Sequence, residues 1–274
     1  MVFPPGSSIQ TAMEKTSVEM NGVWVRFNRV LDNMVRFCKP MTFYNPGSEY
    51  ELSFAGTCFL TRYTQKLVLV STRHQLGKGG AARKPNEACI LVESGGKPVA
   101  LTCSQYIRPS FTEHEDHNVA EDIILLQFGA QTHSVNPTHM FFNMTRTLTL
   151  DQVGEQNVTL YFAIGYPTQF AELVGNFADP DAMSFEGYVS RFSKLYLETD
   201  RRESMPAHIE FRVRGDHTLT IDDFDGLSGS PVFFLYEDDS RQSRLGYAGM
   251  IRLASNGIFQ VYEGRYIRQM LEGI

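Results

Sequence analysis

The chain has 274 residues, of which 42% are hydrophobic, so it is long enough to bury a large core. Its formal net charge is −6. The acidic balance disfavours a nucleic-acid surface, and no stretch approaches the roughly 18 apolar residues that a membrane helix needs. The four cysteines lack the spacing of a disulfide scaffold, and the first residues lack the pattern of a secretory signal. These features predict a cytoplasmic protein with no nucleic-acid or membrane partner.

Residues 1–45 are predicted to be an N-terminal extension. Residues 1–20 are polar and rich in turn formers, which is typical of a loose leader. Apolar residues then recur at helical spacing before Pro40, at Phe27, Val30, Leu31, Met34 and Val35. This spacing predicts a short amphipathic helix whose apolar face packs on the rest of the chain.

Short apolar runs separated by turn residues make up most of the remaining sequence, which is the pattern of an all-β chain. We expect a first unit over 46–130, a crossing over 131–150 and a second unit over 151–274. Strands are expected near 50–63, 66–72, 87–93, 98–108 and 122–128 in the first unit, and near 157–165, 185–198, 207–214, 231–236, 245–253 and 257–261 in the second. Apolar residues on one face of 265–274 predict a C-terminal helix.

The most informative stretch is DGLSGSP at 225–231, a serine between two glycines that a proline closes. Glycine adopts positive φ and permits close backbone approach, while Pro231 fixes the exit into an apolar run. Such a turn can direct the amides of Gly226 and Ser228 at one point, beside the Ser228 hydroxyl. Taken alone, the stretch is equally typical of an ordinary surface turn.

Two other stretches supply the base and the carboxylate that a nucleophilic serine needs. The run LVLV at 67–70 is followed by STRH, so His74 comes just after a buried strand. Asp122 directly precedes the apolar run IILL at 123–126. Taken separately, His74 is equally typical of a strand-end histidine, and Asp122 of a helix or turn cap.

Together with GTCFL at 56–60, these stretches resemble, in order, the signatures of chymotrypsin-fold serine peptidases of the bacterial trypsin-like type. The resemblance covers roughly residues 50–262 and implies two six-stranded antiparallel β-barrels with a site between them. It implies His74 as the general base, Asp122 as its orienting carboxylate and Ser228 as the nucleophile. It also assigns the amides of Gly226 and Ser228 to the oxyanion hole.

Other residues compete for these roles. The rival bases are His114, His117, His133 and His139, and the rival carboxylates are Asp116 and Glu121. None of these histidines follows a buried run as His74 does, and only Asp122 abuts its strand. The sequence HEDH at 114–117 offers possible metal ligands, but a solvated turn is favoured because no further ligands accompany it. We therefore predict no metal and no cofactor.

The resemblance also identifies substrate-contacting and regulatory positions. Arg252 and Leu253 occupy the strand that would pair with an extended substrate, and Arg252 is larger than its counterparts there. Gln75 stands where secreted relatives have a disulfide cysteine. Leu227 stands where clip-activated relatives have an acid, so control by a partner protein is expected instead of zymogen cleavage.

Asp222 lies six residues before Ser228, at the position that forms the base of the primary pocket in relatives that cleave after Lys or Arg. A carboxylate there would favour a basic residue before the scissile bond. Because Asp is a common turn former, Asp222 and Asp223 are also typical of a solvated acidic turn.

We therefore expect a cofactor-free serine endopeptidase that acts on protein or peptide substrates. The alternative is a catalytically silent protease-like module that binds a peptide or protein.

Overall fold

The computed structural model describes residues 16–45, 52–77, 83–94, 97–107, 122–129, 137–176, 184–200, 205–215, 221 and 223–274. The strands of these residues are β1 (Ser17–Met20), β2 (Val23–Arg26), β3 (Cys38–Tyr44), β4 (Leu52–Tyr63), β5 (Lys66–Thr72), β6 (Ala88–Ser94), β7 (Lys97–Thr102), β8 (Gln105–Ile107), β9 (Ile123–Gln127), β10 (Phe142–Asn143), β11 (Val158–Gly165), β12 (Ala171–Asn176), β13 (Ser184–Ser190), β14 (Ser193–Thr199), β15 (His208–Val213), β16 (Pro231–Glu237), β17 (Ser243–Ser255) and β18 (Ile258–Glu263). The α-helices are α1 (Val30–Met34), α2 (Leu150–Val153) and α3 (Gly264–Glu272).

The second unit is a closed antiparallel barrel, which confirms the all-β prediction. Its six strands neighbour one another in the order β16, β11, β14, β15, β18 and β17, and β16 pairs back onto β17. The single strand expected over 185–198 is two strands, because the chain breaks at Arg191 and Phe192. Only β14 enters the barrel, while β13 pairs with β12 in a separate two-stranded ribbon.

The first unit is a curled half-barrel of seven antiparallel strands in the order β7, β6, β3, β4, β5, β9 and β8. It differs from the six-stranded closed barrel of the prediction in two respects. Strand β3 joins the sheet as an extra member, and the end strands β7 and β8 do not pair with each other in the described residues. Strand β8 has only three residues, which gives it little length for further pairing.

Aromatic side chains fill the space between the two sheets. The ring of Phe59 lies 5.6 Å from that of Phe233 and stacks on Tyr247 at 5.4 Å. Phe142 contacts Phe233 at 5.3 Å, and all four side chains are buried. Edge-to-face and offset contacts of this kind fix the packing of rigid rings. The sheets are therefore held in one relative orientation, which positions the residues at their shared edge.

The helices pack against this same core. Val30 and Met34 of α1 are buried in it, which confirms the predicted amphipathic helix. The predicted C-terminal helix is confirmed as α3, which buries Ile267, Met270 and Leu271. No helix of the described residues is both long enough and apolar enough to cross a membrane.

Candidate active site

His74 and Asp122 lie side by side because their strands are neighbours. His74 belongs to a 3₁₀ turn directly after β5, and Asp122 directly precedes β9, which pairs with β5. Nδ1 of His74 lies 2.9 Å from Oδ2 and 3.1 Å from Oδ1 of Asp122. The backbone amide of His74 also donates to Asp122 Oδ1 at 2.9 Å. The carboxylate therefore fixes both the backbone and the ring of the histidine.

A third group, Arg252 of β17, completes the surroundings of the Asp122 carboxylate. Its Nε donates to Asp122 Oδ2 at 3.2 Å. Burial raises the pKa of Asp122, but hydrogen bonds from His74 and the charges of His74 and Arg252 outweigh it and hold that pKa below its ordinary value. Asp122 is therefore ionised at neutral pH, as a group that orients an imidazolium must be.

The serine stretch forms two consecutive tight turns. The amide of Leu227 donates to the carbonyl of Phe224 at 3.1 Å, and the amide of Ser230 donates to the carbonyl of Leu227 at 2.9 Å. Gly226 and Gly229 occupy the third position of each turn, with φ of 89° and 87°. A type II turn requires positive φ at this position, which explains both glycines.

The first turn is anchored by packing of Leu227 inside the closed barrel. The Leu227 side chain is fully buried in an apolar cluster with Ile221 and Val232. A Cβ on Gly165 would come within 2.7 Å of it, so leucine fits closely against the backbone of β11. The turn is thus held by the apolar contacts of the residue that precedes Ser228.

The amides of Gly226 and Ser228 donate no hydrogen bond to any group of the described residues. Amides left unpaired beside a serine hydroxyl can stabilise a negatively charged oxygen. This arrangement is chemically suited to binding an oxyanion.

The hydroxyl of Ser228 is bonded to Arg252, not to the histidine. Its Oγ donates to the Arg252 carbonyl at 3.0 Å. Nε2 of His74 lies 3.4 Å from Thr72 Oγ1. Among the described residues, no hydrogen bond joins Ser228 to His74. The structure thus links the three predicted residues through Arg252 and Gln75 where the two sheets meet, a place that we call the cleft, but leaves the base and the hydroxyl unconnected.

Gln75 connects the histidine segment to the serine turn, a role that the sequence did not indicate. Its buried Nε2 lies 2.5 Å from the Ser228 carbonyl, 3.0 Å from Thr72 Oγ1 and 3.2 Å from the Thr57 carbonyl. The side-chain amide therefore links the first sheet to the serine turn. All four cysteines of the chain are buried free thiols.

Thr57 forms a second link to the serine turn. Its buried Oγ1 donates to the Gly226 carbonyl at 2.7 Å and accepts from the Tyr166 amide at 2.8 Å. Its own amide donates to the Ser228 carbonyl at 3.2 Å. One side chain of the first sheet therefore orients the peptide that lies between the amides of Gly226 and Ser228.

Replacing Thr57 with valine should lower the free energy of unfolding by about 1–3 kcal/mol, because it leaves a buried amide and a buried carbonyl unpaired at constant side-chain volume. Urea unfolding measures the change. Thr57→Ser keeps the hydroxyl and is the matched control, so equal losses in the two variants would contradict this role for the hydrogen bonds.

The predicted substrate strand, β17, runs past the serine turn and stays paired with β18 as far as Ser255, whereas its pairing with β16 ends at Met250. Ile251 exchanges two 2.8 Å backbone hydrogen bonds with this turn, accepting from Gly229 and donating to Ser230. Arg252 and Leu253 follow, and Leu253 is 48% exposed. The strand therefore places an apolar side chain at the surface next to the cleft.

Several predicted or rival residues lie outside the described residues, namely Asp222, His114, Asp116, His117, Glu121 and His133. The preference for basic residues that depends on Asp222 remains a prediction. The neighbouring Asp223 and the rival base His139 are exposed.

No protein-family model matches the chain, and no curated protein matches its sequence.

Proposed function

We propose that the protein is a serine endopeptidase that hydrolyses peptide bonds through an acyl-enzyme. The observation that carries the proposal is that contacts through Arg252 join the serine turn to the pair of His74 and Asp122. Asp122 holds His74 at 2.9 Å and Arg252 at 3.2 Å, and the Arg252 carbonyl holds the Ser228 hydroxyl at 3.0 Å. A base, its orienting acid and a serine between unpaired amides are the parts that acyl transfer needs.

In this proposal the Ser228 hydroxyl attacks the substrate carbonyl carbon while Nε2 of His74 takes its proton. The oxyanion lies against the amides of Gly226 and Ser228. His74 then gives the proton to the leaving amine as the carbon–nitrogen bond breaks. Water enters, His74 takes a proton from it, and the ester to Ser228 is hydrolysed, which releases the acid and restores the hydroxyl.

The contact between Ser228 and Arg252 describes the resting site. An extended substrate that adds alongside β17 would direct a backbone N–H at the Arg252 carbonyl. That N–H competes with the Ser228 hydroxyl for the same acceptor, and rotation about one side-chain bond turns the hydroxyl towards His74. Catalytic hydrogen bonds that tighten only when substrate is bound are common in such enzymes.

The same contact favours one alternative, a protease-like module that binds peptides without cutting them. In such a module the Ser228 hydroxyl would stay on the Arg252 carbonyl when a peptide binds. The two functions share the peptide-binding strand and differ only in whether Ser228 becomes a nucleophile.

A fluorophosphonate distinguishes the two, because it forms a covalent bond only with an activated serine. We expect mass spectrometry to find the adduct on Ser228, and neither Ser228→Ala nor His74→Ala to be labelled. Ser240→Ala, on the exposed hairpin between β16 and β17, is the control that should label like the wild type. A folded wild-type protein that resists labelling and leaves peptides uncut would favour the binding module.

A further inference from the structure

Arg252 presents unused hydrogen-bond donors in the cleft. Its guanidinium reaches from β17 to the first sheet, where Nε is bonded to Asp122 at 3.2 Å. The two terminal nitrogens make no hydrogen bond to any described residue, and the side chain is 24% exposed. A guanidinium carries five N–H groups in a fixed plane, so four remain for a ligand. Such a fork suits a carboxylate, which can accept two parallel bonds.

The position of Arg252 indicates which part of a substrate it meets. A peptide whose reacting carbonyl lies at Ser228 would run along β17, with the residue before the scissile bond opposite Arg252. Side chains of an extended chain alternate between opposite faces. The next residue towards the peptide's N-terminus therefore points to the first sheet, where the Arg252 guanidinium and the His74 ring lie.

The charges of the site favour an acid at that place. Asp122 supplies one negative charge to both Arg252 and the imidazolium that forms when His74 takes a proton. The oxyanion that forms in the same step balances the imidazolium, so the charge that this substrate residue meets is that of Arg252. A substrate carboxylate would be attracted to Arg252 and could accept from its free N–H groups, whereas a Lys or Arg side chain would be repelled.

We propose that the cleft selects peptides with Asp or Glu two residues before the scissile bond, and that Arg252 determines this specificity. The inference rests on the proposed function, since it places the scissile bond at Ser228. It is independent of any preference from Asp222, which concerns the adjacent substrate residue.

Quenched fluorescent peptides that differ only in Asp, Asn or Lys at this position test the inference. We expect kcat/KM of the wild type to be about tenfold higher for Asp than for Asn, the size of one charge-assisted hydrogen bond in a partly exposed site. Arg252→Gln should reduce this Asp-to-Asn ratio to about one, and Arg252→Glu should favour Lys over Asp. Because the Asp-to-Asn ratio is measured within each variant, it is not affected if the loss of the contact with Asp122 slows the cleavage of all peptides equally.

Arg244→Gln is the matched control, because Arg244 also pairs with a carboxylate, Asp238 at 2.9 Å, but lies at the far end of β17. It should keep the wild-type Asp-to-Asn ratio.

Equal rates of cleavage of the Asp and Asn peptides would overturn the proposed specificity but not the proposed peptidase activity. If no peptide is cut, fluorescence anisotropy of the same sequences, labelled without the quencher, measures their binding to Ser228→Ala. If Ser228→Ala binds the Asp peptide more tightly than the Asn peptide, and Arg252→Gln removes this difference, the acidic subsite is supported although the peptidase fails. If the two peptides bind equally, both the acidic subsite and the peptidase are overturned.

Discussion

Replacing Asp122 with asparagine should lower kcat for peptide hydrolysis about ten-thousandfold, because the histidine loses the acceptor that fixes its tautomer and its imidazolium loses a counter-charge. The amide of asparagine can place an N–H against Nδ1 of His74, where Asp122 now accepts at 2.9 Å. Arg252 would lose its carboxylate as well. Steady-state kinetics on a peptide that the wild type cuts measures the loss, and fluorophosphonate labelling should slow in parallel.

Asp238→Asn is the control for this result. Asp238 accepts backbone amides from Ser240 and Gln242 at 2.9 Å and the Nε of Arg244 at 2.9 Å, so its surroundings match those of Asp122 closely. It follows β16 at the end away from the serine turn. Its loss should affect the free energy of unfolding but not kcat. A similar fall in kcat for both variants would show that Asp122 acts through stability alone.

The parts of the site that sequence could predict are those fixed by strand pairing. His74 and Asp122 flank two apolar runs, and such runs pair when both are buried. Their pairing as β5 and β9 then brings His74 and Asp122 together at one end. The turn around Ser228 could also be predicted, because two glycines so close together indicate backbone of positive φ, which other residues adopt only with strain.

The parts that sequence could not predict are contacts across the two sheets. Gln75 and Thr57 connect to the serine turn through polar side chains that look ordinary in the sequence. Their partners are backbone carbonyls more than a hundred residues away, and any residue type can present a carbonyl. The contact of Arg252 with the Asp122 carboxylate could not be predicted either, because the two residues lie 130 positions apart and belong to different sheets.

The two sheets approach each other so closely at the serine turn that position 229 has no room for a side chain. A Cβ on Gly229 would lie 1.9 Å from the Thr57 carbonyl oxygen and 2.7 Å from Ser71 Oγ. The Thr57 carbonyl also accepts the Ser71 hydroxyl at 2.8 Å and faces the Gln75 amide, so it cannot move without breaking these contacts. The backbone amide of the same residue, Thr57, donates to the Ser228 carbonyl.

Gly229→Ala should therefore lower the free energy of unfolding by at least about 2 kcal/mol more than the strain of alanine at positive φ would alone. The additional loss arises because the new Cβ displaces the strand of Thr57, which is overpacking. Gly22→Ala measures that backbone cost, since Gly22 has a φ of 84° against 87° for Gly229 and has no atom within 4 Å of the added Cβ. Urea unfolding of the two variants gives the difference directly. Labelling of Ser228 should fall in Gly229→Ala even where the chain remains folded, because the turn must move away from Thr57. Equal destabilisation by the two substitutions, with labelling intact, would mean that the sheets do not need glycine to approach at this point.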